Sequence, residues 1–441
     1  MKREERDDII SLIKREVVPA LGCTEPAAVA LCVAKATEVL GKIPEVIEVI
    51  LSGNMLKNAM GVGIPGTGMI GLPIAIALGA LIGKSEYGLE VLKDVTPLKV
   101  EEGKRFISEG RISISVDEEA PSILYIKVRC IAGEDVSEAV ISDSHTNFIY
   151  LSLNGRILYK ADSSSWASNT EPAVSSGNCG SKGNPDSSGP SLNMLKVYEF
   201  ATTAPIEEID FILEARSLNK AAADLAFKKD YGHSLGYTMR HKGDKLFGDS
   251  ILSHIISSTS AACDARMGGA QIAVMSNSGS GNQGICATMP VVSFADDIGA
   301  DDRQLTRALI LSHLTSIYIK QSLGRLSALC GCVVASTGAS AGIVSLMGGG
   351  YEEVCAAVKN MVANITGMIC DGAKPSCSLK ISSGAGTALM SAMLAMEHKC
   401  VTEAEGIISD DVDVTIRNLT SIGREAMQDT DRLVLHIMTH K

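Results

Sequence analysis

The sequence is poor in aromatic residues and in positive charge. Aromatic side chains make up 4% of the 441 residues, and 40 Lys and Arg stand against 51 Asp and Glu, which gives a formal net charge of -11. Nucleic acids and anionic membranes demand basic patches, and the sequence contains none. Neither kind of partner is therefore expected, and a small molecule is the more suitable ligand.

Long hydrophobic runs are also missing. The longest run, Gly71 to Gly83, is too short to cross a bilayer, and the N-terminal segment MKREERDDIISLIKREVVPA is charged and amphipathic, unlike a signal peptide. These features predict a cytoplasmic protein. Because thiols stay reduced in that compartment, the 12 cysteines indicate metal binding, catalysis or buried packing and not a disulfide framework.

A nucleotide-binding motif is absent as well. The glycines Gly61, Gly63 and Gly66 have the spacing of the dinucleotide fingerprint. However, no strand leads directly into the first of them, and Pro65 lies between the last two. We therefore do not expect a dinucleotide cofactor.

Helical patterns dominate what is present. The N-terminal part predicts helices at residues 7–18, 26–40 and 52–60, with a strand at 45–51. Short alternating segments predict strands within 94–160. Further helices are predicted at 206–229, 248–265, 302–323, 326–346, 351–369, 384–398 and 411–426.

The length predicts two domains, one of them inserted in the other. We expect a mostly α core domain, formed by residues 1–90 and 193–441 and carrying the functional site. An inserted α+β domain is expected at 91–192, with a flexible serine- and glycine-rich loop at about 161–191.

Four cysteines are the residues most indicative of metal chemistry: Cys330, Cys370 and Cys377 near the C-terminal end, and Cys23 near the N-terminal end. Soft thiolates select zinc, copper(I) or iron–sulfur clusters, and three thiolates with one non-protein ligand leave one metal atom open to substrate. Zinc is the alternative to an iron–sulfur cluster, because Cys332 would complete a set of four thiolates. However, no Cys-x2-Cys knuckle is present. Buried cysteines without any metal are the third interpretation.

Three segments rich in glycine and asparagine, residues 52–58, 61–68 and 276–284, predict a cleft for a small carboxylate. They offer backbone N–H groups, side-chain amides and one lysine. Cys23 precedes the helix predicted to open at Glu25, so we expect its thiol to have a lowered pKa and to act as a base or nucleophile.

The sequence resembles the L-cysteine desulfidase family in V-P-A-L-G-C-T-E-P-A-A-V-A at 18–30, S-G-N-M-L-K-N-A-M-G-V-G-I-P-G-T-G at 52–68 and G-S-G-N-Q-G at 279–284. That family is similar in its C-terminal part to the α domain of the bacterial iron–sulfur L-serine dehydratases. The segment G-M-I-C-D-G at 367–372 looks like the dehydratase segment that carries a cluster cysteine. The α+β segment looks like a counterpart of the dehydratase β domain.

The resemblance implies an iron–sulfur L-serine dehydratase-like fold in which Cys330, Cys370 and Cys377 hold a 4Fe-4S cluster whose fourth iron is free for substrate. Cys23 looks like the further active-site cysteine of the desulfidases. Because Cys370 and Cys377 are closer together than the corresponding dehydratase pair, Cys332 is the alternative third ligand.

The implied activity is that of a carbon–sulfur lyase of amino-acid catabolism, which converts L-cysteine to sulfide, ammonia and pyruvate by β-elimination without pyridoxal phosphate. Cys23, poised by a helix terminus and by Lys57, is the first candidate for the base, and Glu25 is the second. The residues expected to bind the substrate are Thr24, Asn54, Asn58, Gly66, Thr67, Ser276, Asn277, Asn282 and Gln283.

L-serine dehydration is the alternative among enzymes, with iron binding a hydroxyl in place of a thiolate. A non-catalytic iron–sulfur sensor and a zinc structural protein are the alternatives from other classes. The expected partner is the amino acid L-cysteine, and glycine-rich helical packing allows a homodimer.

Overall fold

The structure is a computed structural model and describes residues 1–161, 190–324 and 327–440. The loop predicted at about 161–191 lies almost wholly outside the described residues. The prediction of a mostly helical chain is confirmed, and the strands form a mixed sheet in place of the antiparallel one expected.

The helices of the N-terminal part and of the segment up to residue 267 are Arg3–Glu16 (α1), Thr24–Leu40 (α2), Gly53–Ala59 (α3), Leu72–Ile82 (α4), Pro97–Ser108 (α5), Met194–Thr203 (α6), Ile206–Ile209 (α7), Leu213–Lys228 (α8), Leu235–Lys242 (α9), Asp244–Phe247 (α10) and Ile251–Met267 (α11). The helices that follow are Gly281–Ile298 (α12), Asp302–Leu323 (α13), Gly331–Leu346 (α14), Tyr351–Ile365 (α15), Cys377–Met396 (α16), Val412–Ser421 (α17) and Gln428–Thr439 (α18).

The strands are Pro19–Leu21 (β1), Val46–Ser52 (β2), Gly63–Ile64 (β3), Met69–Ile70 (β4), Ile112–Asp117 (β5), Tyr125–Ala132 (β6), Asp135–Ser142 (β7), Phe148–Leu153 (β8), Arg156–Lys160 (β9) and Ala273–Met275 (β10). Six of them form a sheet in the order β5-β2-β6-β7-β8-β9, in which β2 and β5 are parallel and the other pairs are antiparallel.

Strand β2 lies in the interior of this sheet, with Val49 opposite both Ile114 of β5 and Val128 of β6. The sheet therefore takes strands from both sides of residue 91. Helices α2 and α4 pack on each other, and α2 also covers β6 and β7, so that their apolar side chains share one core cluster. The division into a core domain and a domain inserted at 91–192 stays a prediction.

Helix α14 lies at the centre of the helical part and packs against α12, α13, α15 and α16. Its residues 332–344 are all buried, as expected of a helix whose side chains are small or apolar on every face. Gly338 permits the close contact with α13, because a Cβ atom there would lie 2.2 Å from the carbonyl oxygen of Ser312.

Helix α12 was not predicted, and two predicted helices begin elsewhere. Glycine and proline weaken helices, and α12 contains Gly284 and Pro290, which hid its pattern. Its start is fixed by Ser280, whose side chain accepts a hydrogen bond from the Gln283 amide. The helix predicted at 326–346 begins at Gly331, and the one predicted at 384–398 begins at Cys377.

The short antiparallel pair of β1 and β10 joins the N-terminal segment to the helical part. Pro19 lies opposite Met275 and Leu21 opposite Ala273. The Ser276 amide and hydroxyl both donate to the carbonyl oxygen of Val18, at 2.9 and 2.6 Å. This pairing ties the segment before α2 to the strand that precedes α12. None of the described helices is long and apolar enough to cross a membrane.

We predict that Gly338→Ala lowers the free energy of unfolding by about 1–3 kcal/mol, because the new methyl group overlaps the backbone of α13. Gly386→Ala is the matched control, since a Cβ atom at this helical glycine would make an ordinary contact, 3.6 Å from Ile256 Cδ1. It should be neutral or stabilising by about 0.5–1 kcal/mol. Urea denaturation measures both, and equal effects would contradict the account of this helix contact.

Candidate active site

A single β-bridge between Leu329 and Ile369 places two of the predicted cluster cysteines side by side. The Cys330 amide donates to the carbonyl oxygen of Met368 at 3.0 Å, and the Cys370 amide donates to that of Ala328 at 2.6 Å. Cys330 is the N-cap residue of α14. The two thiols therefore lie at the junction between one helix and an extended loop.

Cys377 follows at the end of that loop, as the first residue of α16. Its amide donates to the carbonyl oxygen of Lys374 at 2.9 Å. Its thiol contacts the carbonyl oxygen of Gly372 at 3.7 Å. Gly372 has φ 88°, and a Cβ atom there would lie 2.1 Å from the carbonyl oxygen of Lys57. Only glycine fits this close approach of the loop to α3.

Burial raises the pKa of both the Cys330 and the Cys377 thiol, and negative charge on Cys370 adds to each shift. Without a metal, these two thiols are therefore protonated at neutral pH. A bound metal ion deprotonates its thiol ligands, so metal binding here would release protons.

Lysines surround the three cysteines. Lys380 donates to the carbonyl oxygen of Ile369 at 2.8 Å, and both Lys374 and Lys380 pair with Asp371. Burial acts to raise the pKa of Asp371, but the two lysines outweigh it and bring this pKa to about 2. Burial lowers the pKa of Lys320 to about 8, while the neighbouring Cys370 and Cys330 act in the opposite direction.

The donor chemistry of this site fits an iron–sulfur cluster. Three half-buried thiols lie close enough to interact electrostatically, and cations that can offset the negative charge of bound thiolates lie beside them. Within the described ranges no three His, Cys, Asp or Glu side chains converge on the position of a single metal ion. A cluster does not require such convergence, because each thiolate binds a different iron atom.

Cys332, the alternative third ligand, has other neighbours. Its sulfur lies 3.9 Å from that of Cys286 and 3.2 Å from the carbonyl oxygen of Lys380. A hydrogen bond with Cys286 and burial raise the pKa of its thiol. Cys332 is thus enclosed between α12 and α16, whereas Cys377 is partly exposed.

Cys23 is the N-cap residue of α2, and its thiol donates to Glu25 Oε2 at 2.9 Å. The Thr24 hydroxyl lies 3.1 Å from the same oxygen. The expected lowering of the Cys23 pKa is wrong: burial and the Glu25 charge raise it well above its usual value, against the opposing effect of Arg266. The helix terminus is therefore too weak an influence to produce a thiolate in this place.

Arg266, on α11, joins this group and was not identified from the sequence. Its Nη1 donates to Asn282 Oδ1 at 2.9 Å, and its Nη2 donates to the carbonyl oxygen of Gly22 at 3.0 Å. The Cys263 thiol also lies 3.6 Å from Asn282 Oδ1, and negative charge on Cys377 reaches Cys263. Asn282 and Cys263 thus link Arg266, which lies near Cys23, to Cys377.

Helix α3 carries three further predicted residues. Lys57 is 2% exposed and pairs with Asp431 of α18. Asn58 is buried, and the side-chain oxygen of Asn54 is buried without a hydrogen-bond partner among the described residues. The loop that carries Cys370 lies directly on this helix, at the carbonyl oxygen of Lys57.

The other predicted binding residues already use their polar groups within the protein. The Thr67 hydroxyl donates to the carbonyl oxygen of Ile64 at 2.8 Å, and the Gly66 amide donates to that of Gly269 at 3.2 Å. Ser276 holds β1 to β10, as described above. These contacts close turns and join strands.

Asn277 and Gln283 belong to a buried polar network. The side-chain amide of Gln283 donates to Asn277 Oδ1 at 3.2 Å, and the side-chain amide nitrogen of Asn277 lies 3.1 Å from His313 Nδ1. The Thr288 hydroxyl lies 3.0 Å from His313 Nε2. Burial lowers the pKa of His313 to about 3, so this network contains a neutral histidine.

The structure thus brings Cys23, Thr24, Glu25 and Asn282 into one group, and Cys330, Cys370 and Cys377 into a second group beside it. A sign of Arg266 was available in the sequence, where A-A-C-D-A-R-M-G-G at 261–269 places two charged residues in an apolar helix before two glycines. Buried charges of this kind are retained where they have a partner or a function.

The family model of the serine dehydratase alpha chain matches residues 86–436. The chain belongs to that family, and the match indicates serine dehydratase-like, lyase-type chemistry.

The chain is also similar along its whole length to proteins described as UPF0597 proteins. One from Phocaeicola vulgatus is 62% identical over 441 residues, covering 100% of this chain and 99% of the relative. One from Bacteroides thetaiotaomicron is 61% identical, covering 100% and 99%, and one from Bacteroides fragilis is 60% identical, covering 100% of both chains.

We predict that Asp431→Asn lowers the free energy of unfolding by about 2–4 kcal/mol, because it leaves the buried charge of Lys57 without a partner. Asp429→Asn is the control, since Asp429 pairs with Arg432 on the exposed side of the same helix and its loss should cost less than about 0.5 kcal/mol. Urea denaturation of both variants tests this, and equal losses would show that Lys57 does not depend on Asp431.

Proposed function

We propose that the protein is an iron–sulfur-dependent L-cysteine desulfidase, which converts L-cysteine to sulfide, ammonia and pyruvate. The observation that supports the proposal is a series of contacts that runs from the Cys23–Glu25 pair through Arg266, Asn282 and Cys263 towards Cys377. The family match supports lyase chemistry on an amino acid.

Cys330, Cys370 and Cys377 are the proposed ligands of a 4Fe-4S cluster. The enclosure of Cys332 beside Cys286 supports Cys377 as the third ligand. When bound by three cysteines, such a cluster has one iron without a protein ligand, and this iron supplies Lewis-acid activation of the leaving group.

The proposed base is the pair of Cys23 and Glu25. Because Cys23 is a protonated thiol that donates to Glu25 Oε2, the carboxylate is the proton acceptor of the pair. As the sulfur of Cys23 takes the Cα proton, its own proton passes to Glu25. Thr24, which lies by the same oxygen, keeps the carboxylate oriented.

The β-elimination then consumes no reactant other than the substrate and water. The Cα–H electron pair forms the Cα–Cβ double bond, and the Cβ–S bond breaks with release of sulfide. The resulting aminoacrylate tautomerises to an imine, which water hydrolyses to pyruvate and ammonia. The protein has to hold the substrate carboxylate while negative charge develops on Cα, and Asn54 and Asn282 are proposed donors for it.

L-serine dehydration is the second candidate, and the match to the serine dehydratase alpha chain family favours it. The same residues would act, with hydroxide in place of sulfide as the leaving group. The softer thiolate is the better ligand for iron in a sulfur-rich cluster, so we place L-cysteine first.

The first test is product release by protein purified and reconstituted with iron and sulfide without air. We expect sulfide and pyruvate in equal amounts from L-cysteine, and a lower rate of pyruvate release from L-serine. Pyruvate from L-serine alone would make the protein a serine dehydratase. No product from either substrate, with an intact cluster, would contradict both candidates and favour a non-catalytic role.

The second test separates the base from the cluster. Glu25→Gln and Cys23→Ala should each lower kcat about a hundredfold or more while the iron content per chain stays unchanged. Glu38→Gln and Cys32→Ala are matched controls on the same helix, where Glu38 accepts from Ser85 and Cys32 contacts the carbonyl oxygen of Ala139. They should leave kcat within about twofold. Loss of iron in Cys23→Ala would make Cys23 a ligand and overturn the assignment.

A further inference from the structure

Arg266 is a buried cation without a carboxylate partner. It is 4% exposed, and its guanidinium is engaged by neutral acceptors: Asn282 Oδ1, the carbonyl oxygen of Gly22 and, at 3.8 Å, the sulfur of Met267. Its Nε has no hydrogen-bond partner in the described chain. A buried charge costs several kcal/mol when nothing of opposite sign offsets it, so Arg266 is a candidate for binding an anion.

The start of helix α12 lies on the same guanidinium. A Cβ atom at Gly281 would lie 2.2 Å from Arg266 Nε, so glycine is required for the approach. Ser280 provides acceptors for the Gln283 and Gly284 amides, whereas the Gly281 and Asn282 amides make no hydrogen bond within the described residues. Free amides and the positive end of an 18-residue helix therefore reinforce the charge of Arg266.

A narrow groove lies near this region. Its lining comprises residues of the Leu21–Ala27 segment, Ile64 and Pro65, and the segment from Leu89 to Lys93, which contributes both Glu90 and Lys93. Gly22, whose carbonyl oxygen binds Arg266, is part of the same segment, and Pro65 lies directly against it. Cys23 lines the groove and lies within electrostatic range of Arg266. The groove has a volume of about 20 Å³, room for about one water molecule, and Cys23 is the residue that connects it to the surroundings of Arg266.

We propose that Arg266, together with the first amides of α12, binds the α-carboxylate of the amino-acid substrate. The inference rests on the proposed function for the identity of the ligand as an amino acid. It adds the charged group that the predicted set of binding residues lacks, since Asn54 and Asn282 are neutral. Nε of Arg266 has no partner among the described residues and Nη2 uses one of its two N–H groups, so the guanidinium fork keeps two donors for a carboxylate.

The test uses L-alanine, an amino acid without a leaving group, and ethylamine, which differs from it by lacking the carboxylate. Isothermal titration calorimetry on the cluster-loaded protein should show binding of L-alanine and none of ethylamine. Arg266→Gln should weaken L-alanine binding roughly tenfold or more, because a charge-assisted contact is lost. Arg266→Lys should weaken it severalfold, since the charge stays but the fork is lost.

Arg307→Gln is the matched control. Arg307 also uses its guanidinium to hold neutral acceptors, the carbonyl oxygens of Ala201 and Ala204, and it lies away from the groove. This variant should lower the unfolding temperature and leave L-alanine affinity unchanged. If Arg266→Gln does not fold, Arg266→Lys decides, with its unfolding temperature measured alongside.

Wild-type affinity for L-alanine in the Arg266 variants would overturn the inference, as would equal binding of ethylamine, or no binding of L-alanine, by the unaltered protein. The inference and the proposed function fail separately. Arg266-dependent binding of L-alanine without turnover of L-cysteine or L-serine would leave the carboxylate site standing and remove the desulfidase. Turnover of L-cysteine together with unchanged L-alanine binding in the Arg266 variants would support the desulfidase and remove the carboxylate site.

Discussion

The bridge between Leu329 and Ile369 is the contact on which the site depends. It holds the segment before α14 against the loop between α15 and α16. Cys330 at the start of α14 and Cys370 in that loop therefore become neighbours, although 40 residues separate them in sequence. The loop then has to pass close to α3, which Gly372 permits, before Cys377 opens α16. Two backbone hydrogen bonds thus hold Cys330 and Cys370 close to each other.

Charge is distributed differently inside the site and over the whole protein. The chain carries a formal net charge of -11, yet the cysteine loop is bordered by Lys320, Lys374 and Lys380, and Arg266 lies at the start of α12. Buried cations are costly, and they are stabilised where an anion is bound nearby. An anionic cluster and a substrate carboxylate are the two anions that our proposals supply.

The sequence predicted the features that depend on local pattern. Helix α2, strand β2 and the buried α14 follow from runs of small and apolar residues, and the cysteine set was visible from its chemistry. Features that depend on tertiary contact were missed. Helix α12 is stabilised by its neighbours in spite of Gly284 and Pro290, and Arg266 gains its role only when β1 and β10 pair. Burial, which no local pattern reports, reversed the expected pKa shift of Cys23.

The most direct measurement is the iron and acid-labile sulfide content of anaerobically reconstituted protein, for the unaltered chain and for single alanine variants of Cys330, Cys370, Cys377 and Cys332. The account predicts about four iron atoms per chain in the unaltered protein and in Cys332→Ala, with loss of the cluster in the other three variants. Loss in Cys332→Ala with retention in Cys377→Ala would contradict the ligand assignment. Zinc in place of iron would contradict the cluster itself.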